Sequence, residues 1–223
     1  MEINSQTKIY NMKKSIIILC SISILFGTSL NAQTDFNYRE NFIIGAKVGL
    51  NNANVWDESG QDFTADSKIG FAGGVFFGIP LNKVVGFQPE LLISQKGFQG
   101  SGTFLTIPYY YSKTTTYLDI PLQVQIKPTD FFTILAGPQY SYLIHENNSF
   151  TLGSATSEIE EEFENENIRK NLLGFVIGAD VNVSFLVISG RLGWDFLKNN
   201  GDGTSDTPRY KNQWVQLTVG ARL

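Results

Sequence analysis

The chain has 223 residues, 17 Lys and Arg against 21 Asp and Glu, and a net charge of −4. Charged residues make up 17%, against about 25% in an ordinary soluble domain, and the acidic balance leaves no basic stripe to displace counterions from nucleic acid. One cysteine and one histidine exclude a disulfide framework, a Cys-ligated zinc site and a multi-His metal centre.

The first element is an address. Met12-Lys13-Lys14 precedes an apolar run from Ile16 to Phe26, followed by Gly27-Thr28-Ser29-Leu30-Asn31-Ala32. A basic n-region, a short h-region and a small residue before the cut make a secretory signal peptide. The run is shorter than the about 20 apolar residues that a spanning helix needs. This divides the chain into a signal peptide over 1–32, with translation expected to start near Met12, and one domain over 33–223. Cys20 lies in the h-region and leaves with it.

From Phe42 onward the sequence keeps a period of two. In Leu118-x-Ile120-x-Leu122-x-Val124-x-Ile126 the intervening residues are Asp119, Pro121, Gln123 and Gln125. Such alternation marks a strand with two different faces. In chain order it predicts eight strands: Phe42–Leu50, Ile69–Phe77, Phe87–Ser94, Leu118–Ile126, Phe132–Tyr142, Leu172–Val181, Ile188–Phe196 and Trp214–Leu223. Short connections at Pro80–Lys83, Lys127–Asp130 and Val183–Phe185 alternate with long ones at Asn51–Ser67, Phe98–Tyr111, Glu146–Lys170 and Lys198–Arg209. An up-and-down meander of this rhythm gathers its tight turns at one end and its long loops at the other, as outer-membrane barrels do.

Which face points inward decides between two classes. A soluble, lipocalin-like binding barrel would put the apolar face inside. Here the polar face is rich in Gly, Ser, Gln, Thr and Asn, and its few charges are mixed in sign: Lys47, Glu90, Lys96, Asp119, Asp180, Arg191, Asp195 and Arg222. The narrow interior of an eight-stranded barrel needs small residues, and enclosed charges of both signs can neutralise one another. The apolar face carries Leu, Ile, Val, Phe and Trp with almost no charge, which suits lipid, where Lys or Arg at mid-depth costs about 2–4 kcal/mol. Ten strand residues rise about 34 Å, and a tilt near 40° leaves roughly 25 Å, the height of a lipid-facing band. Tyr109, Tyr110, Tyr111, Tyr140, Tyr142, Trp194, Phe196 and Tyr210 gather at the loop end, and Phe42, Phe131, Phe132 and Phe185 at the turn end, as expected of aromatic belts.

Three segments carry a family likeness. Gly86-Phe87-Gln88-Pro89-Glu90-Leu91-Leu92-Ile93-Ser94-Gln95-Lys96-Gly97, Tyr117-Leu118-Asp119-Ile120-Pro121-Leu122 and Ala136-Gly137-Pro138-Gln139-Tyr140 resemble the porin-family, PorT-like outer-membrane β-barrel domain of Bacteroidetes-type bacteria. The resemblance runs from about Phe42 to Leu223. It implies an eight-stranded outer-membrane barrel and no single activity, although PorT itself is associated with a secretion and gliding apparatus.

Local chemistry is sparse. His145 beside Glu146 is expected at the loop-end rim, and Ser141, four residues away on the same face, lies about 13 Å along the strand, too far for a nucleophile–base pair. The acidic run Glu158–Glu166 reads as a solvated loop whose like charges repel. Asn199 to Asp206 resembles a calcium loop but fails the template, because Lys198 and Arg209 fall where its first Asp and last Glu belong. Gly97 to Gly102 is glycine-rich, yet no helix follows to present amides to phosphate.

These readings converge on an all-β, closed antiparallel up-and-down transmembrane barrel, with no catalytic, cofactor or metal site. Its expected partners are outer-membrane lipids and other envelope proteins, not nucleic acid. The eight mixed charges are expected to form a network in the lumen. Trp56, Tyr109, Tyr110, Tyr111 and Phe150 are expected to form a contact surface on outward-facing loops. The expected role is structural, envelope-integrity or surface-interaction. A small porin, a secretion-complex subunit and the soluble binding barrel are the alternatives.

Overall fold

The computed structural model describes residues 37–57, 65–104, 106–152, 155–161, 169–199 and 210–223. Residues 1–37 form a unit of their own, of which only Asn37 is described, and the barrel unit is Tyr38–Leu223. The expected signal peptide, Cys20 included, lies outside the described residues.

Among the described residues there are nine strands: β1 (Ile43–Asp57), β2 (Asp66–Pro80), β3 (Val85–Phe104), β4 (Ile107–Ile126), β5 (Phe132–Leu152), β6 (Ala155–Glu161), β7 (Asn171–Val183), β8 (Leu186–Asp195) and β9 (Tyr210–Arg222). Eight of them close a ring, β4-β3-β2-β1-β9-β8-β7-β5, because β4 also pairs with β5. Every pairing is antiparallel. The ninth, β6, continues the edge of β5 beyond the point where β7 leaves it, pairing Glu146–Leu152 with Ala155–Glu161.

Alternation sets the faces as expected. Leu122, Val48, Leu217 and Val219 point outward and are 43%, 56%, 62% and 51% exposed, while Glu90 and Arg191 are 3% and 2% exposed. An outer wall of Leu, Val, Ile and Phe around a polar interior inverts the burial of a soluble protein, whose charges face water.

Among the described residues parts of three expected loops are strand instead, the first being Asn51–Asp57 at the end of β1 and Asp66–Ser67 at the start of β2. Residues 98–111 belong to a hairpin in which β3 and β4 pair as far as Phe104↔Ile107. β5 runs on to Leu152, and Glu158–Glu161 of the acidic run lies within β6. Beyond the barrel proper neither face of these strands is buried against lipid, so the alternation fades. The stretch Tyr109-Tyr110-Tyr111-Ser112-Lys113-Thr114-Thr115-Thr116 is nonetheless rich in aromatic and β-branched residues, which favour strand. Twenty residues of β3 or β4 rise about 68 Å, roughly twice what crosses a bilayer, so this hairpin projects well past the wall.

Two irregularities re-aim side chains. Gly97 adopts φ 153°, and a Cβ there would lie 2.1 Å from the Lys113 carbonyl oxygen. Only glycine fits, and around it both Lys96 and Phe98 are buried. In β5 the register slips between Thr116↔His145 and Tyr117↔Leu143. An extra residue of this kind breaks the alternation, so Glu146 rather than His145 becomes the next buried position after Leu143.

Candidate functional site

The interior is filled by alternating polar and apolar layers. At its centre Lys47 of β1 pairs with Glu90 of β3. Arg191 of β8 reaches Glu90 Oε1 at 3.7 Å and Asp180 Oδ1 of β7 at 2.6 Å. Gln88 Nε2 donates to Glu90 at 2.7 Å, Arg191 Nε donates to Gln123 Oε1 at 3.1 Å, and Gln125 Nε2 donates to Gln88. The cluster thus ties five strands together across the lumen. In a dry interior each charge is tolerable only with its partners in place.

Toward the loop end the ammonium of Lys96 lies 3.2 Å from both carboxylate oxygens of Asp119 and donates to Ser141 Oγ at 3.3 Å. It also sits 3.9 Å from the Trp214 ring centroid and 4.8 Å from that of Tyr117, a cation between two aromatic faces. Asp195 accepts from Asn212 Nδ2 at 2.7 Å. A separate relay, Gln216 to Asn51 at 2.9 Å and Asn51 to Ser94 at 2.8 Å, runs from β9 through β1 to β3.

Apolar layers separate these groups. Ile43, Phe76 and Val187 form one at the turn end, with Tyr38 packed on it. Ala53, Val176 and Trp214 form a second, and Tyr117, Leu143 and Leu172, joined by Leu197, a third. The rings of Phe76 and Trp214 enter because glycines face them across the strand pairs Gly45↔Phe76 and Gly193↔Trp214. A Cβ on Gly45 would lie 2.2 Å from Phe76 and one on Gly193 2.3 Å from Trp214. Gly193→Ala is therefore expected to displace the indole and lower stability by about 1–3 kcal/mol. The check is the temperature at which the folded, fast-migrating gel band disappears.

A strap closes the turn end. Before β1, Arg39 reaches three places: Nε to Lys83 O at 2.9 Å, Nη2 to Lys127 O at 2.6 Å and Nη1 to Asp130 Oδ1 at 2.7 Å. It thereby joins the β2–β3 and β4–β5 turns. Tyr38 lies over the guanidinium of Arg222, 3.9 Å from ring centroid to Cζ. Arg222 in turn donates to Ser184 O at 3.1 and 2.8 Å, steadying a turn residue at φ 54°.

A family model described as "Outer membrane protein beta-barrel domain" matches residues 31–197. The chain belongs to that family. The closing strand β9 lies beyond the matched range, yet it joins β1 to β8 and completes the family's ring. Three solved barrels are similar: Ail, the attachment invasion locus protein of Yersinia pestis, at 12% identity and TM-score 0.44 over 81% of this chain and 98% of that one; OprG from Pseudomonas aeruginosa, at 12% and 0.40 over 85% and 99%; and Neisserial surface protein A, at 11% and 0.39 over 81% and 96%. No curated protein matches the chain.

All eight expected lumen charges of this outer-membrane barrel are buried, from Asp119 at 1% exposure to Arg222 at 8%. They form three groups: Lys47, Glu90, Asp180 and Arg191; Lys96 and Asp119 with Asp195 beyond; and Arg222 apart, at the turn-end mouth. The five expected contact residues divide differently. Trp56 and Tyr110 are exposed at 52% and 42%, on outward positions of β1 and β4. Tyr109, Tyr111 and Phe150 share the other face of the projecting strands, where Phe150 is 48% exposed and the two tyrosines are half-buried. There Tyr109 stacks on Phe150 at 6.2 Å and Tyr111 meets Phe98 edge-on at 6.0 Å.

Tyr210, expected in a lipid-facing belt, turns inward, onto Phe98 at 5.1 Å. It shares the parity of Asn212 and Trp214, so its position follows from the same alternation. Trp194 and Phe196 stay outward, as a belt requires. His145 and Ser141 do not share a face, because the β5 bulge intervenes. Ser141 is engaged by Lys96 and Gln139, and Glu146 pairs inward with Lys113. Most of the calcium-like run, 200–206, lies outside the described residues, as do residues 162–166 of the acidic run.

Sequence reasoning passed over Lys113, Trp214 and the strap. Trp214 carried a signal, a large ring on a face of small and polar residues, whereas Lys113 carried none, because its approach to Glu146 depends on the β4–β5 register. Arg39 carried none, since a single turn residue shows no periodicity.

Proposed function

We propose that this chain is a sealed, non-enzymatic outer-membrane barrel whose role is envelope integrity or surface interaction. The turns and termini face the periplasm, and the projecting β3–β6 strands face outward. The observation that carries this reading is the layered interior. Among the described residues ion-paired charges and three apolar clusters occupy the lumen, and the strap lies across one mouth, which supports an interior closed to solute. An eight-stranded interior is just wide enough for side chains to fill. The outward projection presents Tyr110 and the Tyr109–Phe150 stack as an aromatic contact surface, and aromatic side chains dominate such contacts. The leader over 1–32 would deliver the chain to the envelope.

Planar-bilayer recording tests the reading. Folded protein, verified by its heat-modifiable gel mobility, is expected to give currents at the noise level. Discrete conductance steps would replace it with a small porin.

The three segments resembling PorT support one further reading, a subunit of an envelope secretion complex. Copurification from solubilised envelopes with stoichiometric partners would favour it over a free-standing barrel.

A further inference from the structure

Four cations in the interior and at its rim meet a carboxylate: Lys47 with Glu90, Lys96 with Asp119, Lys113 with Glu146 and Arg191 with Asp180. Two buried cations at the turn-end mouth do not. Lys127 and Arg222 are 4% and 8% exposed, and neither has a carboxylate within ion-pair distance among the described residues. Lys127 Nζ donates one hydrogen bond, to Arg39 O at 3.3 Å. Arg222 donates three, to Ser184 O at 3.1 and 2.8 Å and to Asn182 Oδ1 at 3.1 Å. An ammonium carries three N–H groups and a guanidinium five, so each cation keeps two undirected.

Both line one cavity under the strap, together with Tyr38, Gln125, Thr133 and Asn182. Its free space of about 20 Å³ suits one or two water-sized species. The two carboxylates on its wall are already engaged, Asp130 by Arg39 and Asp180 by Arg191. Thr133 accepts from Asn182 Nδ2 at 3.1 Å, which leaves its own proton to donate. Burial first, and then the nearby Arg39 and Arg222, push the Lys127 ammonium below its usual range, a cost that an anion beside it would offset.

We propose that this mouth binds one small inorganic anion of chloride size between Lys127 and Arg222, and that the anion fastens the Tyr38–Asn41 strap to the barrel. The inference is independent of what the opposite end of the barrel contacts.

The test uses the full domain folded in detergent micelles, with chloride exchanged for gluconate at constant ionic strength. Raising chloride from a tenth of the half-saturating concentration to ten times it is expected to shift the folding equilibrium about tenfold toward the barrel, with about another tenfold for each further decade of chloride. Gluconate, the more strongly excluded ion, would act in the opposite direction if only bulk solvation mattered. The ³⁵Cl NMR line should broaden with wild-type protein. Lys127→Gln and Arg222→Gln should lose both effects, while Lys198→Gln, beyond β8 at the opposite end of the barrel, should keep them. If Lys127→Gln does not fold, Lys127→Arg is expected to fold and retain binding, and the wild-type line width decides the matter directly. Equal stability in the two salts without line broadening, excess broadening that does not fall as chloride rises through the half-saturating concentration, or full broadening by folded Lys127→Gln would each overturn the proposal.

Discussion

Replacing Glu90 by alanine is expected to destabilise the barrel by about 3–5 kcal/mol, the usual cost of stripping one partner from a buried ion cluster. Glu90 is the carboxylate that meets both Lys47 and Arg191. Asp180 can still hold Arg191 at 2.6 Å, but Lys47, 5% exposed and with the Phe76 ring 5.9 Å away, is left with a charge that neither water nor a carboxylate balances. Glu90→Gln keeps the shape and the contact with Gln88 and should fall between wild type and alanine. The double variant Lys47→Met/Glu90→Met should recover much of the loss, because removing both charges removes the desolvation cost with the attraction. Urea unfolding of the barrel in lipid vesicles, followed by tryptophan fluorescence, measures all three. A Glu90→Ala protein as stable as wild type would show that the cluster is hydrated and the lumen open.

Leu217→Arg carries the second large effect and probes the opposite surface. Leu217 is 62% exposed, pairs with Leu50 and Gly190, and lies midway along the outward row of β9. An arginine at mid-depth in lipid costs about 2–4 kcal/mol, against about 0–1 near the interface. Gln213→Arg, two outward positions nearer the loop end, is the matched control and should be nearly silent. The expected outcome is a depth gradient in vesicle unfolding free energy between the two positions. A flat response would mean that water, not lipid, touches this wall, and the outer face would have to be covered by something else.

How much was legible beforehand depends on what each residue had to satisfy. The outward row of β9, Val215, Leu217 and Val219, and the inward row, Gln216, Thr218 and Gly220, were readable because consecutive strand residues point to opposite faces. The inward placement of Glu90 and Arg191 followed from the same parity. The β3–β4 hairpin from Phe98 to Tyr111 was misread as a loop, because past the membrane both its faces are polar or aromatic and a period-two signal vanishes there. The inward turn of Glu146 was not readable, because one extra residue in β5 reverses parity and nothing in His145-Glu146 announces it.

The sequence by itself determined the strand rhythm, the polarity of each face, and so the location of lipid and lumen, since these depend only on neighbours along the chain. The tertiary structure alone decided which charges meet. Lys47 finds Glu90, Lys96 finds Asp119 between two aromatic rings, and Lys127 and Arg222 are left together under the Arg39 strap. Lys127 and Arg222 stand 95 positions apart along the chain, and such meetings depend on how strand register and closure of the ring stagger one side chain against another, which no local pattern encodes.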